Sequence, residues 1–101
     1  MIIYVDIDNT ICRSFKNKKG EWDYLFSKPR YQQIKKINQL YKQGNEIIYW
    51  TARGNATGIN WDKLTQEQLS EWGCQYTRIA KIKKPVYDLF IDDKAKRIEE
   101  L

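Results

Sequence analysis

Four short apolar runs divide the chain, and each is followed by small, polar or charged residues. The runs cover residues 2–7, 46–51, 75–79 and 86–91, of which the third is the weakest and most peripheral. Between them, apolar residues recur at helical spacing over residues 29–43 and 60–72, and a short helix is predicted over residues 95–101. Short apolar runs that end in turn-forming residues are typical of buried parallel strands. The alternation predicts an α/β fold, in which helices in right-handed crossovers cover a small parallel sheet.

Individual residues set the predicted ends of the two longer helices. Pro29 can open the first helix, because a proline in the first turn loses no helical hydrogen bond. The predicted buried stripe of this helix consists of Ile34, Ile37, Leu40 and Tyr41. In the second helix, Thr65 is followed three residues later by Gln68, which is a capping-box pattern.

The segment of residues 11–28 follows neither a helical nor a strand pattern closely. Residues 17–20 are a turn signal, and the aromatic residues Trp22, Tyr24 and Phe26 follow it. We predict a flap, a loose hairpin that hangs over the end of the first strand. The alternative is a surface loop whose aromatic residues pack down onto the domain, and the pattern favours neither.

Length and composition restrict the classes of protein that fit. The 101 residues suffice for one domain, residues 1–101, and 42% of them are hydrophobic. We expect a cytoplasmic protein without a signal peptide or membrane span, because the first apolar run is broken at Asp6. Cys12 and Cys74 lack the spacing of a metal site, so we expect reduced thiols. The chain has no histidine, which excludes histidine-based triads, histidine general bases and the common zinc sites.

The formal net charge of +5 favours an anionic ligand such as phosphate. Nucleic acid is compatible with this charge but is the less favoured partner. The lysines are scattered along the chain and do not form one face interleaved with exposed aromatic residues. A solvated, lysine-rich surface is the simpler interpretation of the charge.

Chemically useful side chains follow three of the predicted strands. Asp6 and Asp8 end the first strand, Thr51 ends the second, and Asp92 and Asp93 follow the last. Because parallel strands place their carboxyl ends at one edge of a sheet, we expect these groups to gather there with Lys84. Carboxylates crowded into one place repel one another unless a hard cation such as Mg²⁺ joins them. Phosphoryl transfer needs this combination of neutralised charge and positioned groups.

The same segments resemble the motifs of a known family. The Asp-Ile-Asp-Asn-Thr of residues 6–10 resembles the first motif of the haloacid dehalogenase (HAD) superfamily, and Thr51 resembles the second. Lys84 with the following proline resembles the third motif, and residues 90–93 resemble the fourth. The stretch of residues 51–54 is similar to small phosphatase-like members associated with capsular polysaccharide biosynthesis. Four motifs in family order across most of the chain make the resemblance specific.

The resemblance implies a phosphomonoester hydrolase with an aspartyl-phosphate intermediate. Asp6 would attack phosphorus and carry the phosphoryl group, and Asp8 would protonate the leaving group and then activate water. Thr51 and the backbone near Ala52 would hold phosphate oxygens. Lys84 would neutralise the phosphoryl group.

The resemblance also implies a Mg²⁺ cofactor and a three-layer, Rossmann-like HAD core. The metal ligands would be Asp6, the backbone carbonyl of Asp8, and Asp92, whereas Asp93 would reach the metal only through water. The segments in which many superfamily members carry a cap domain are short here, so a capless member is implied. Substrate selection would then fall to the flap (Trp22 and Tyr24), to a neighbouring subunit, or to no dedicated element.

Each motif also has a simpler explanation. Residues 8–10 form a good turn by themselves, and residues 92–93 could cap the last helix. Thr51 could be only a strand-end residue. Lys84 could be one of many solvated lysines, with Lys81 or Lys83 in its role. Only the joint occurrence of the motifs favours a HAD site.

We therefore expect a Mg²⁺-dependent phosphatase that acts on a small sugar phosphate or related metabolite, with homo-oligomerisation left open. Arg53 is a candidate contact for a substrate anion, and a surface charge is its alternative. Two other functions remain: a nucleotide or nucleic-acid-end phosphatase, and a non-catalytic protein that binds phosphate and Mg²⁺. The presence of Asp8 argues against the non-catalytic protein, because binding alone requires no acid or base there.

Overall fold

A parallel sheet and a separate hairpin form the framework of the protein. The computed structural model describes residues 1–55, 57–81, 87–95 and 98–100. In chain order, its elements are β1 (Ile2–Asp6), β2 (Cys12–Lys16), β3 (Trp22–Pro29), α1 (Tyr31–Lys42), β4 (Glu46–Thr51), α2 (Asp62–Glu71), β5 (Arg78–Lys81), β6 (Leu89–Ile91) and a 3₁₀ helix (Ile98–Glu100). The sheet has four strands, all parallel, in the order β5-β4-β1-β6. The predicted α/β fold with a small parallel sheet is confirmed.

One face of the parallel sheet carries the hydrophobic core. Ile3 and Val5 of β1 pair in register with Ile47 and Tyr49 of β4, and all of these side chains are fully buried. The apolar residues that α1 and α2 bury belong to the same cluster. Because side chains alternate between the two faces of a strand, both helices cover this one face. Burial of an aliphatic side chain of this size contributes about 1.5–3 kcal/mol, so this face is the main source of stability.

The opposite face of the sheet is lined by aromatic side chains. Tyr4, Trp50, Tyr87 and Phe90 form tilted or edge-to-face pairs, with ring centroids between 5.3 and 6.1 Å apart. Within the described ranges, the buried residues of α1 and α2 pack on the other face of β1 and β4, and the predicted three-layer, Rossmann-like core stays a prediction.

Residues 11–28 contain a hairpin, which was one of the two predicted alternatives. Strands β2 and β3 pair antiparallel in a sheet of their own. The pairing runs from Lys16 and Trp22 beside the turn to Cys12 and Pro29 at the base. Tyr24, in the middle of β3, is buried against the rest of the protein. The hairpin is therefore anchored through its second strand.

The helices begin and end differently from the prediction. Pro29 is the last residue of β3, and α1 begins at Tyr31. Pro29 pairs with Cys12 at the base of the hairpin, a strand-end position where proline is tolerated. Tyr41 was predicted to be buried but is 39% exposed in the last turn of α1. Among the described residues, no helix combines the length and apolarity needed to cross a bilayer.

Some predicted boundaries shift, and some fall on residues that the structure does not describe. Strand β5 begins at Arg78, three residues later than predicted. Thr77, the residue before it, is also bonded to β4, but one of its two hydrogen bonds uses the side chain and so lies outside the regular backbone ladder. The N–H of Thr77 donates to the carbonyl of Ile47 (2.7 Å), and the N–H of Ile47 donates to Oγ1 of Thr77 (3.1 Å). Of the predicted last helix, Ile98–Glu100 is a 3₁₀ helix. The other predictions over residues 82–86, 96–97 and 101 lie outside the described residues.

Candidate active site

A tight turn after β1 presents Asp6 and Asp8 at the carboxyl edge of the sheet. The N–H groups of residues 10–11 donate to the carbonyl oxygen of Ile7 at 3.1 and 3.0 Å. Asn9 has a φ of 63°, in the left-handed region that asparagine tolerates better than most residues. The Asp-Asn pair of the first motif is therefore what allows the chain to turn here.

Three carboxylates meet beside this turn. Oxygen atoms of Asp6, Asp92 and Asp93 all lie within 4.8 Å of one another, and these residues come from the ends of β1 and β6. Burial and, after it, the charges of Asp92, Asp8 and Asp93 together raise the pKa of Asp6 to about 7, against a hydrogen bond from Thr10 that lowers it. A hard cation would relieve this crowding, so the group can hold a metal.

The side chain of Asp8 lies beside that group in the same cavity and is paired with Arg53. Nε of Arg53 donates to Oδ1 and Oδ2 of Asp8 at 3.2 and 3.0 Å, and Nη2 donates to Oδ1 at 2.9 Å. The hydroxyl of Ser14 also donates to Oδ1, at 2.5 Å. Two of the predicted metal ligands, Asp6 and Asp92, are therefore brought together by the structure. Asp93, which was predicted to reach the metal only through water, lies in the same group.

Arg53 is held from three sides and is only 2% exposed. Its Nη1 donates to Oγ1 of Thr65 (3.2 Å) and to Oε1 of Gln68 (2.6 Å), both on α2. Its guanidinium carbon lies 4.6 Å from the ring centroid of Tyr24, and Nε2 of Gln68 donates to the carbonyl of Tyr24 (2.7 Å). The surface-charge alternative for Arg53 is therefore wrong. The guanidinium faces Asp8 and α2, and the predicted contact with a substrate anion stays a prediction.

The capping-box prediction for α2 is wrong, and its two residues serve Arg53 instead. The residue before the first turn of α2 is Trp61, and Thr65 lies inside the helix, where its hydroxyl donates to the carbonyl of Trp61 (2.8 Å). Thr65 and Gln68 are almost fully buried on the face that also carries Leu69. Two uncharged polar residues at helical spacing beside a buried leucine were the signal that could have identified them.

Thr51 and Ala52 occupy different surroundings although they are neighbours. Thr51 is 3% exposed, and its Oγ1 accepts a hydrogen bond from the N–H of Arg53 at 3.0 Å. It lines a cavity of about 140 Å³ whose walls also include Asp62 and Thr65 of α2. Ala52 lines the cavity that contains Asp6. Of the two predicted phosphate contacts, the structure thus brings Ala52 to the acidic cavity, and Thr51 faces α2.

The lysine predicted to neutralise phosphate, Lys84, lies outside the described residues, as does Lys83. Lys81 forms an ion pair with Asp62 of α2. Lys94, which sequence reasoning did not select, lines the acidic cavity together with the carboxylates. Its position two residues after Asp92 was the available signal.

The acidic cavity has a volume of about 230 Å³ and lies between the sheet edge and the hairpin. Its walls are Asp6, Asp8, Asn9, Trp22, Tyr24, Ala52, Asp92, Asp93 and Lys94. The rings of Trp22 and Tyr24 are nearly parallel, with an interplanar angle of 10° and centroids 6.3 Å apart. A second cavity of about 550 Å³ shares the walls formed by Trp22, Tyr24 and Ala52. Polar side chains of Lys16, Glu21, Asn55 and Thr57 line the remainder of the second cavity.

The buried thiol of Cys12 also faces the site. It donates a weak hydrogen bond to Oδ1 of Asp8 at 3.6 Å. Burial and, after it, the charge of Asp8 together raise the pKa of Cys12 to about 11. The thiol therefore keeps its proton at neutral pH and is not a nucleophile.

The site thus combines a carboxylate group that suits a cation with a separate carboxylate that suits proton exchange. Such a division of roles is typical of carboxylate-based hydrolytic and transfer chemistry. Comparisons with protein-family models, curated proteins and solved structures found no match to this chain. The function is therefore inferred from the chemistry of the site.

Proposed function

We propose that the protein is a Mg²⁺-dependent phosphomonoester hydrolase that works through an aspartyl-phosphate on Asp6. The observation that carries the proposal is that Asp6 shares a carboxylate group with Asp92 and Asp93 while Asp8, beside them, is held by Arg53. A HAD-type core without a cap domain is part of the same proposal. It is supported by the position of these groups at the carboxyl edge of a parallel sheet.

The donor set fits Mg²⁺. Asp6, Asp92 and Asp93 would hold the ion, and the backbone carbonyl of Asp8 is a further candidate ligand. Carboxylate and carbonyl oxygens are the ligands that this ion prefers, and burial with neighbouring negative charge raises the pKa of Asp6 to about 7. When bound, Mg²⁺ would neutralise the carboxylates and phosphate oxygens that otherwise repel each other.

In the first half of the reaction, a carboxylate oxygen of Asp6 forms a bond to phosphorus. The ester P–O bond breaks, its electron pair stays on the leaving oxygen, and that oxygen takes a proton from Asp8. In the second half, Asp8 takes a proton from water as the water oxygen bonds to phosphorus. The bond between phosphorus and Asp6 then breaks, which restores the carboxylate and releases inorganic phosphate.

Phosphate oxygens would be held by the backbone near Ala52 and by a lysine. Within the described ranges, Lys94 is the lysine that lines the acidic cavity. Thr51 and Lys84 retain the roles that the family resemblance implies, as proposals. An ammonium charge beside the carboxylates would favour an anionic substrate once the metal is bound.

The non-phosphate part of the substrate would occupy the second cavity. Its volume of about 550 Å³ lies within the range of small-molecule sites, and the shared wall of Trp22, Tyr24 and Ala52 connects it to Asp6. The polar side chains of Lys16, Asn55 and Thr57 in its walls would bond the hydroxyl groups of a small sugar or related metabolite, beside the rings of Trp22 and Tyr24.

We would measure Mg²⁺-dependent phosphate release from sugar phosphates, nucleotides and end-phosphorylated oligonucleotides. We expect turnover of a sugar phosphate. It should be at least about 100-fold lower in Asp6→Asn, which lacks the nucleophile, and in Asp8→Asn, which lacks the general acid and base. Asp88→Asn is the matched control, since Asp88 accepts the N–H of Ile2 at the opposite edge of the sheet.

Each other outcome identifies a different function. A preference for oligonucleotide ends, with steep salt dependence, would support the nucleic-acid alternative. Bound Mg²⁺ and phosphate without release from any ester would support the non-catalytic alternative. Turnover that survives in Asp6→Asn would contradict the aspartyl-phosphate mechanism.

A further inference from the structure

A buried arginine is a costly feature in a protein of this size, and Arg53 is the largest fully buried side chain among the described residues. Removing a guanidinium from water costs several kcal/mol unless its N–H groups are paired. Each of its side-chain nitrogens donates: Nε and Nη2 to Asp8, and Nη1 to Thr65 and Gln68. This extensive pairing indicates that Arg53 has a specific role, and Asp8 is the charged group with which it pairs.

The contacts divide the two oxygens of Asp8 unequally. Oδ1 accepts from Nε and Nη2 of Arg53, from the hydroxyl of Ser14 and from the thiol of Cys12. Among the described residues, Oδ2 accepts only from Nε of Arg53, at 3.0 Å. A carboxylate oxygen has two lone pairs, so Oδ1 is saturated and Oδ2 keeps capacity for another partner. Asp8 also lines the acidic cavity, where such a partner would bind.

Arg53 is itself fixed by two elements that pack around it. Thr65 and Gln68 of α2 hold Nη1, and the ring of Tyr24 from the hairpin lies against the guanidinium. Gln68 joins the two elements, because its Nε2 donates to the carbonyl of Tyr24 at 2.7 Å. A planar, forked guanidinium can bond to all these partners at once, whereas a lysine ammonium cannot.

We propose that Arg53 is a positioning residue that holds the carboxylate of Asp8 through both oxygens and leaves one lone pair of Oδ2 to exchange protons with the leaving group and then with water. This inference rests on the proposed function and adds a residue to it. In the first step, the proton leaves Oδ2 for the oxygen of the breaking P–O bond, which keeps the electron pair of that bond. In the second step, Oδ2 takes a proton from the attacking water. Arg53 makes and breaks no bond in either step.

The test compares two esters that differ in their need for a proton. An alkyl phosphate releases a basic alkoxide that must be protonated, whereas p-nitrophenyl phosphate releases a stable anion. The quantity measured is kcat/KM, which covers the steps up to formation of the aspartyl-phosphate. The ratio of the two values is taken on one sample, so it is unaffected by any unfolded fraction that a substitution at a buried site produces.

We expect Arg53→Lys to lower kcat/KM for the alkyl ester about 100-fold and for the aryl ester about 10-fold or less, because only the alkyl ester uses the general acid fully. Gln68→Ala, which removes one support of Arg53, should change the ratio in the same direction by a smaller factor. Arg78→Lys is the matched control, since Arg78 contacts the hydroxyl of Tyr4 on the other face of the sheet. Its ratio should equal that of the wild type.

An unchanged ratio in Arg53→Lys, whether both esters lose activity equally or neither does, would overturn the inference. It would show that Arg53 does not position the oxygen of Asp8 that exchanges the proton. A wild-type protein that cleaves neither ester would instead overturn the proposed function itself, and the inference with it.

Discussion

At the scale of single residues, Asp6 carries the largest electrostatic strain that the structure shows in the site. It is half-buried beside three other carboxylates, and it is the carboxylate whose pKa is raised to about 7. Asp8, two positions away, is matched by a guanidinium. Two acids of one motif therefore have opposite surroundings, which is how a site separates the roles of two identical side chains.

The raised pKa of Asp6 predicts how the metal-free protein responds to pH. The folded protein keeps the Asp6 proton up to about pH 7, whereas the unfolded chain loses it near pH 3.8. Asp6 therefore contributes stability below the unfolded pKa, and this contribution is lost as the pH rises to about 7. In chelator, thermal unfolding should show the wild type losing several degrees relative to Asp6→Asn between pH 5 and pH 8. For a domain of this size, 1 kcal/mol corresponds to about 4–8 °C.

Mg²⁺ should reverse this pattern in the wild type alone. A ligand that binds only the folded state raises the unfolding temperature, and a cation binds the ionised carboxylate better. We expect the Mg²⁺-induced shift to be larger at pH 8 than at pH 5, and to be much reduced in Asp6→Asn. An equal shift in both proteins would show that Mg²⁺ binds elsewhere.

At the scale of elements, the loop after β4 decides where Arg53 lies. Gly54 has a φ of 87°, and an added Cβ would overlap the carbonyl oxygen of Ile59. Gly58 has a φ of 75° but has nothing within 4 Å of an added Cβ. The two glycines thus share a left-handed backbone and differ in the space around them.

This difference predicts unequal effects of two alanine substitutions. Gly58→Ala should lower the free energy of unfolding by about 1–2 kcal/mol, the cost of a left-handed backbone for alanine. Gly54→Ala should cost about 3 kcal/mol or more, because the loop must also move away from Ile59. Urea titration measures both. Equal losses would mean that the loop rearranges freely, and Arg53 would then not be held by it.

The elements also differ in how far the sequence predicts them. Strand β4 was predicted at its observed bounds, because the apolar run of residues 47–50, which follows the turn residues 44–45, has few other structures. Strand β5 was shifted, because an edge strand buries little and Thr77 can extend its pairing without the regular ladder. In α2, the local pattern of Thr65 and Gln68 matches a helix cap, but their burial against Arg53 depends on a contact far along the chain.

At the scale of the whole molecule, an acidic cavity lies in a protein with a net charge of +5. The surrounding positive charge attracts phosphate, but the carboxylates of Asp6, Asp92 and Asp93 would repel it at close range. If a divalent cation binds first, it neutralises the carboxylates, and the positive charge of the surrounding protein can then attract the phosphate. The order of binding, metal before phosphate ester, is the whole-molecule consequence of the proposed function.

The gathering of Asp6, Asp8, Asp92 and Asp93 at one edge could be predicted, because parallel strands bring their carboxyl ends together whatever the details of packing. The orientation of Thr51 toward α2 and the presence of Lys94 in the cavity could not. Both depend on how a loop leaves its strand, and this is set by tertiary contacts such as the bond from the N–H of Arg53 to Thr51.

The most direct test of the central claim is to trap the phosphoryl group on the protein. The reaction is quenched with acid during the first turnover with Mg²⁺, the protein is digested with pepsin in acid, where an acyl phosphate survives, and the peptides that contain Asp6 are analysed by mass spectrometry. We expect one phosphoryl group on Asp6 in the wild type, and neither label nor turnover in Asp6→Asn. Phosphate release that continues in Asp6→Asn, or a label on another residue, would contradict the assignment of Asp6 as the nucleophile.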